Sequence, residues 1–145
     1  MKFLTTRRAV VIGAALALTT ALSSPSFADA TTLSFLIDNA PSTVAWANQL
    51  KTDFEAANPD IKLDIEQRPG GADGDNLIKT KLATGDMSDV FNYNSGSLFQ
   101  QINPTQNLVD LSNEPWQASV LPSFKLVVTA TDGTVRGAPF GAAMG

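Results

Sequence analysis

Apolar and polar positions along the chain alternate between two periods, and the order of those periods gives the first indication of a fold. Leu33 to Ile37 is an apolar run of strand type broken only by Ser34, and Asp38, Asn39, Ala40 and Pro41 close it as a turn. Ser42 or Thr43 is then placed to cap a helix. Within it Val44, Ala47, Leu50, Phe54 and Ala57 recur at helical spacing and share an arc of roughly 140°, with Lys51, Asp53 and Glu55 outside it. Asn58 and Pro59 stop this helix, because a residue before proline is pushed out of the helical region. Ile61, Leu63 and Ile65 next alternate with Lys62, Asp64 and Glu66, the period of a strand with one buried face, which Pro69, Gly70 and Gly71 end. Asp73 or Asp75 is placed to cap a second helix carrying Leu77, Ile78, Lys81 and Leu82, and Gly85 terminates it. A third strand is expected over Asp89 to Tyr93.

Strand, helix, strand, helix, strand predicts parallel βαβ units, hence an α/β fold with a parallel-type sheet flanked by helices. Beyond Tyr93 the periodicity weakens. Ser97 to Ile102 fits a short helix, Leu108, Val109 and Leu111 a returning segment, and Leu121 to Val128 either a helix or a strand. Asp132 and Gly133, between Val128 and Val135, form a tight-turn pair, and Arg136 to Phe140 starts an extended piece.

The first thirty residues follow a different pattern. Lys2, Arg7 and Arg8 precede an uncharged stretch from Ala9 to Leu22, the charged and apolar regions of a secretory signal. That stretch falls short of the ~20 residues a bilayer-spanning helix needs. Small residues favour cleavage after Ala28 or Ala30, so residues 1–30 are expected to be removed and 31–145 to form the exported part. Thr6 to Val11 also resembles a twin-arginine export motif. The destination implied is the bacterial periplasm.

Composition narrows the chemistry. The chain has 145 residues, 43% apolar and 17% charged, which suits one globular domain. With no cysteine and no histidine there are no disulfides, no thiol nucleophile, no imidazole triad and no zinc site built on those ligands. Ten basic and fourteen acidic residues give a net charge of −4, and loss of three basic and one acidic residue with the signal makes it −6. Such a balance excludes nucleic acid as an electrostatic partner.

An open parallel sheet binds ligands beyond the carboxyl ends of its strands. Two loops are therefore candidates, Asp38 to Thr43 and Asn92 to Ser97. Tyr93 offers an aromatic face, and Asn94, Ser95 and Ser97 offer hydrogen-bonding groups, a mixture that suits a polyhydroxylated ligand. The same residue types also cap helices and build turns. Gly70, Gly71 and Gly74 lack the lysine and hydroxyl residue of a phosphate loop, and Asp73 and Asp75 lack the further ligands of a calcium loop. No cofactor and no metal are expected. Trp46 and Trp116 are assigned to packing. Asp38 and Asp89 belong at opposite ends of their strands, so they should not meet as a catalytic carboxylate pair, and Asp89 is expected to accept backbone N–H groups.

Several passages resemble the extracellular solute-binding proteins of ATP-driven importers, in particular the large maltose-type sugar-binding family. Phe54, Glu55, Asn58, Pro59 and Ile61 to Leu63 carry one such passage. Thr84, Gly85 and Asp86 before Ser88, Asp89 and Val90 carry the next, then Leu108 to Leu111, then Asp132, Gly133, Val135, Gly137, Pro139 and Phe140. The resemblance implies a periplasmic binding protein type II-like fold of two lobes, of which this chain is an incomplete first lobe, truncated near the hinge crossover. It implies a monomer that captures a sugar without catalysis and delivers it to a membrane permease. Ligand contacts in that family lie after strands one and three, which here means Asp38, Asn39, Tyr93, Asn94, Ser95 and Ser97. An acidic residue often found in the second of those loops is absent, and Arg136 stands where the family commonly has an aromatic. The alternatives are a fragment of an exported α/β hydrolase using carboxylates, or an inactive remnant.

Overall fold

The computed structural model describes residues 30–140; residues 1–29 of the expected export signal, Ala28 among them, lie outside the described residues. Three strands, β1 (Thr31–Asp38), β2 (Ile61–Arg68) and β3 (Val90–Phe91), form one parallel sheet in the order β2-β1-β3. Helices α1 (Pro41–Ala57) and α2 (Gly71–Thr84) make the crossovers. The expected α/β fold with a parallel sheet and flanking helices is therefore present.

The central strand explains why Phe35, Leu36 and Ile37 are all apolar: a strand covered on both faces cannot alternate. Phe35 and Ile37 join Ala47, Val44, Trp46 and Leu50 of α1 and Ile65 of β2 on one face. Leu36 joins Ile78 of α2 with Phe99 and Ile102 on the other. Leu36, Ile37 and Ile78 are the largest side chains that are fully buried among the described residues.

Helix boundaries depart from the sequence expectation at their starts and agree at their ends. Helix α1 begins at Pro41 after Ala40, with no side-chain cap, so Ser42 and Thr43 lie inside the first turn rather than before it. Proline at the first helical position loses nothing by lacking an N–H that would be unpaired there, and its fixed φ suits the helix. At the other end Asn58 gives both its backbone N–H and its side-chain amide to the Phe54 carbonyl, each at 2.9 Å. Helix α2 begins at Gly71, which puts Asp73 in the first turn, where it complements the helix dipole, and leaves neither Asp73 nor Asp75 as a cap. Gly85 ends α2 in the left-handed region, at φ 73°.

Strand β3 is shorter than the expected Asp89 to Tyr93. Asp89 lies just before it and accepts the Ser34 backbone N–H at 2.8 Å and the Ser34 hydroxyl at 2.7 Å, and its own N–H donates back to Ser34 Oγ at 2.9 Å. After β3 the Asn92 N–H still donates to the Leu36 carbonyl at 2.8 Å, and the chain then turns away. Two short helices follow, α3 (Ser97–Gln101) and α4 (Pro104–Asn107), then a 3-10 turn at Pro115–Ser119 and α5 (Pro122–Leu126). Within Leu121 to Val128 the helix covers Pro122–Leu126, with Pro122 at its first position. The Asp132–Gly133 turn closes a small antiparallel bridge between Thr129 and Val135, with Gly133 at φ 85°. Leu111 donates to the Val135 carbonyl at 2.8 Å and ties the returning segment to that bridge. No helix among the described residues is long and apolar enough to cross a membrane.

Candidate functional site

Parallel pairing brings all three carboxyl ends to one side of the sheet. Asp38 pairs with Arg68, and Leu36 pairs with both Glu66 and Phe91. The guanidinium of Arg68, the residue level with Asp38, lies 5.8 Å from the centre of the Tyr93 ring, and the period of two puts Asp38 and Arg68 on the Leu36 face that α2 covers. Asp38 and Tyr93 therefore share one rim of the sheet. Asp38 Oδ1 accepts the Ala40 N–H at 3.0 Å, which makes the turn into α1, and Asn39 beyond it is exposed.

Tyr93 packs against the core that contains Leu36 and Phe99, with its ring 6.3 Å from that of Phe91. Its hydroxyl is buried without a hydrogen-bond partner among the described residues. Burial pushes the Tyr93 phenol above its ordinary value, and the nearby Asp75 carboxylate adds to the rise, while Arg68 opposes it. Asp75 acts there by proximity, since no hydrogen bond of normal geometry joins it to the phenol.

A groove of about 640 Å³ runs along the outer side of β3. Its carboxyl end is polar and is made by Asn92, Tyr93, Asn94 and Ser95, and its flanks are apolar, including Phe91, Val109 and Phe140. Trp46 supports the Phe140 flank: the two rings stack with centroids 4.6 Å apart and planes 13° apart, and Phe35 meets Trp46 edge-on at 6.1 Å. Arg136 anchors the far wall, donating from Nη1 to the Leu108 carbonyl at 2.7 Å and from Nε to Thr134 Oγ1 at 2.6 Å.

Of the six residues proposed from sequence, Tyr93, Asn94 and Ser95 line this groove, whereas Asp38, Asn39 and Ser97 do not. Ser97 is exposed at the start of α3. Asp89 lies four residues of strand away from Asp38, judged by its bond to Ser34, or about 13 Å along β1. The Ser34 N–H and hydroxyl hold the Asp89 carboxyl below its ordinary value, as expected of a carboxylate accepting a backbone N–H. No cluster of three acidic side chains able to hold a metal ion occurs among the described residues. Sequence reasoning missed Arg68, which is buried at the same rim, and its only advance signal was an arginine directly before the Pro69–Gly70 turn.

This architecture is part of a periplasmic binding protein type II-like fold, and the solved structures that resemble it include extracellular solute-binding proteins. One is an extracellular solute-binding protein family 1 member from Alicyclobacillus acidocaldarius, 18% identical, with a TM-score of 0.63 over 74% of this chain and 27% of that one. Another is an ABC substrate-binding protein from Listeria monocytogenes in complex with cycloalternan, 23% identical, with a TM-score of 0.60 over 73% of this chain and 28% of that one. A third is the galacto-N-biose/lacto-N-biose I-binding protein of a Bifidobacterium longum ABC transporter in complex with lacto-N-biose, 14% identical, with a TM-score of 0.54 over 74% and 27%. The chain thus spans about a quarter of the length of these structures. These neighbours are binding proteins and not enzymes. No protein-family model and no curated protein matches the chain.

Proposed function

We propose that the protein is the exported, periplasmic solute-binding component of an ATP-driven importer, which captures a carbohydrate and hands it to the membrane permease as a monomer. Residues 1–30 are its export signal and residues 31–145 belong to its amino-terminal lobe, with the ligand held against the loops after β1 and β3. The observation that supports this reading is the groove whose carboxyl end is lined by Tyr93, Asn94 and Ser95, on a fold shared with proteins solved in complex with sugars. A ring face and amide and hydroxyl groups at one rim match the two surfaces of a sugar, its C–H face and its hydroxyls.

Calorimetric titration of the full-length exported polypeptide with raffinose, lacto-N-biose and cycloalternan tests the proposal. One-to-one binding without turnover is expected, weakened roughly tenfold or more in Tyr93→Ala. Release of cleaved sugar, or no heat with any member of a wider saccharide panel, defeats it.

A further inference from the structure

Arg68 is the one charged side chain that is buried among the described residues, at 4% exposure. Removing a guanidinium from water is costly unless its N–H groups are satisfied and its charge is met. No carboxylate among the described residues lies within ion-pair distance of it. Its partners are instead two carbonyls and a ring. Nη1 donates to the Pro69 carbonyl at 3.0 Å, Nη2 donates to the Asn92 carbonyl at 3.2 Å, and the guanidinium carbon lies 5.8 Å from the centre of the Tyr93 ring. Nε is left without a partner. A third element shapes the seat: Gly74 of α2 packs so closely that any Cβ there would overlap Nη1 and the Pro69 carbonyl.

The guanidinium therefore joins the end of β2, the first turns of α2 and the exit of β3. A side chain kept at this cost, with no acidic partner among the described residues, has its clearest product in the fixed position of the segment it holds. We infer that Arg68 is a positioning residue for the Asn92–Ser95 loop, holding the Asn92 carbonyl and the Tyr93 ring so that the polar end of the groove is set before a ligand arrives. This rests on the binding role proposed above. Lysine cannot substitute fully, because two carbonyls and a ring face are reached together only by a planar fork with several donors.

In ring-labelled protein the Tyr93 resonance is assigned by its loss in Tyr93→Phe, and it reports on the Arg68 contact by NMR without any ligand. In full-length protein, Arg68→Met keeps the apolar stem and removes the fork. The melt is expected to stay cooperative while the Tyr93 ring resonance moves toward its free-tyrosine position, and raffinose binding weakens about tenfold. Arg68→Lys should give an intermediate ring shift and partial recovery of affinity, and it serves as the test if Arg68→Met fails to fold. An unmoved ring resonance in a folded variant overturns the inference, as does a displaced ring with unchanged affinity. Absence of sugar binding by the unaltered protein defeats the binding role instead, and the ring resonance then still decides whether Arg68 holds the loop.

Discussion

The two outer edges of the sheet are finished by different means. Along β2, the Leu63 N–H and carbonyl face away from β1 and are taken by α1: Glu55 accepts the N–H at 2.9 Å and Lys51 Nζ donates to the carbonyl. Lys62 adds an ion pair to Glu55 at 3.5 Å. Two side chains of one helix thus occupy the Leu63 backbone groups, which a fourth strand would otherwise use. Along β3 no described residue does this, Val90 is 48% exposed, and the edge is bordered by the apolar flank of the groove. Among the described residues, edge protection is therefore a local property of α1 and does not extend across the sheet, and an unpaired edge invites pairing with another strand.

Both edges depend on β1, so the largest effect is expected at its core. Ile37→Ala removes a side chain with no exposure and should cost about 2–5 kcal/mol, with urea transitions by tryptophan fluorescence and far-ultraviolet circular dichroism moving together. Separated transitions would mean that the two edges fold independently. A smaller, one-sided effect is expected from Glu55→Ala, which uncovers the Leu63 N–H: amide exchange there should speed up severalfold while the Asn92 amide, bonded to Leu36, keeps its protection. Equal loss at both positions would show that Glu55 supports the whole fold and not one edge.

Acid should weaken the two sides by a common cause. Backbone N–H donors hold the Glu55 and Asp89 carboxyls below their ordinary values, Leu63 donating to the first and Ser34 to the second. A carboxyl with a depressed native pKa contributes stability that is complete above its unfolded value and is lost as pH falls through the native one. Melting temperature should therefore decline as pH is lowered from about 5 toward about 2, and less steeply in Asp89→Asn. Carboxyl titrations followed by NMR check the assignment, and a normal midpoint for Asp89 would remove it from the account.

Most of the framework was legible because the periodicities of β1, α1, β2 and α2 are undisturbed by function. Helix starts were less so: Pro41 and Gly71 begin α1 and α2, while the hydroxyl and carboxylate residues that looked like caps fall inside the first turns or beyond. Strand β3 was overestimated because hydropathy does not record where a chain leaves a ladder, here just after the Asn92 N–H. Arg68 was invisible for a sharper reason. Lys62 and Asp64 are exposed as their alternation predicts, but α2 folds over the carboxyl end of the same face, leaving Glu66 half-buried and Arg68 buried. Period-two reasoning assigns a face to a residue, and it cannot say how far along that face a neighbouring helix extends. The shared rim of Asp38 and Tyr93 was readable from parallel topology, whereas the groove was not, since its flanks come from residues as distant as Trp46 and Phe140.

The smallest effect on stability is expected where the edges differ most in what they offer to another molecule. Val90→Lys places a charge beside the β3 edge that no described residue covers, at a half-exposed position, so stability should change by no more than about 0.5 kcal/mol. Association should respond much more, because a lysine on an exposed edge opposes strand-to-strand pairing between molecules. Light scattering during heating should therefore rise later in Val90→Lys than in the parent. The converse change at the other edge, Lys62→Val, makes that edge more apolar while leaving Glu55 and Lys51 on the Leu63 backbone. If α1 closes β2 as its hydrogen bonds indicate, Lys62→Val should leave the onset of scattering where it was. Earlier scattering in that variant would mean that surface hydropathy, and not the backbone groups left open, governs how this sheet meets its neighbours.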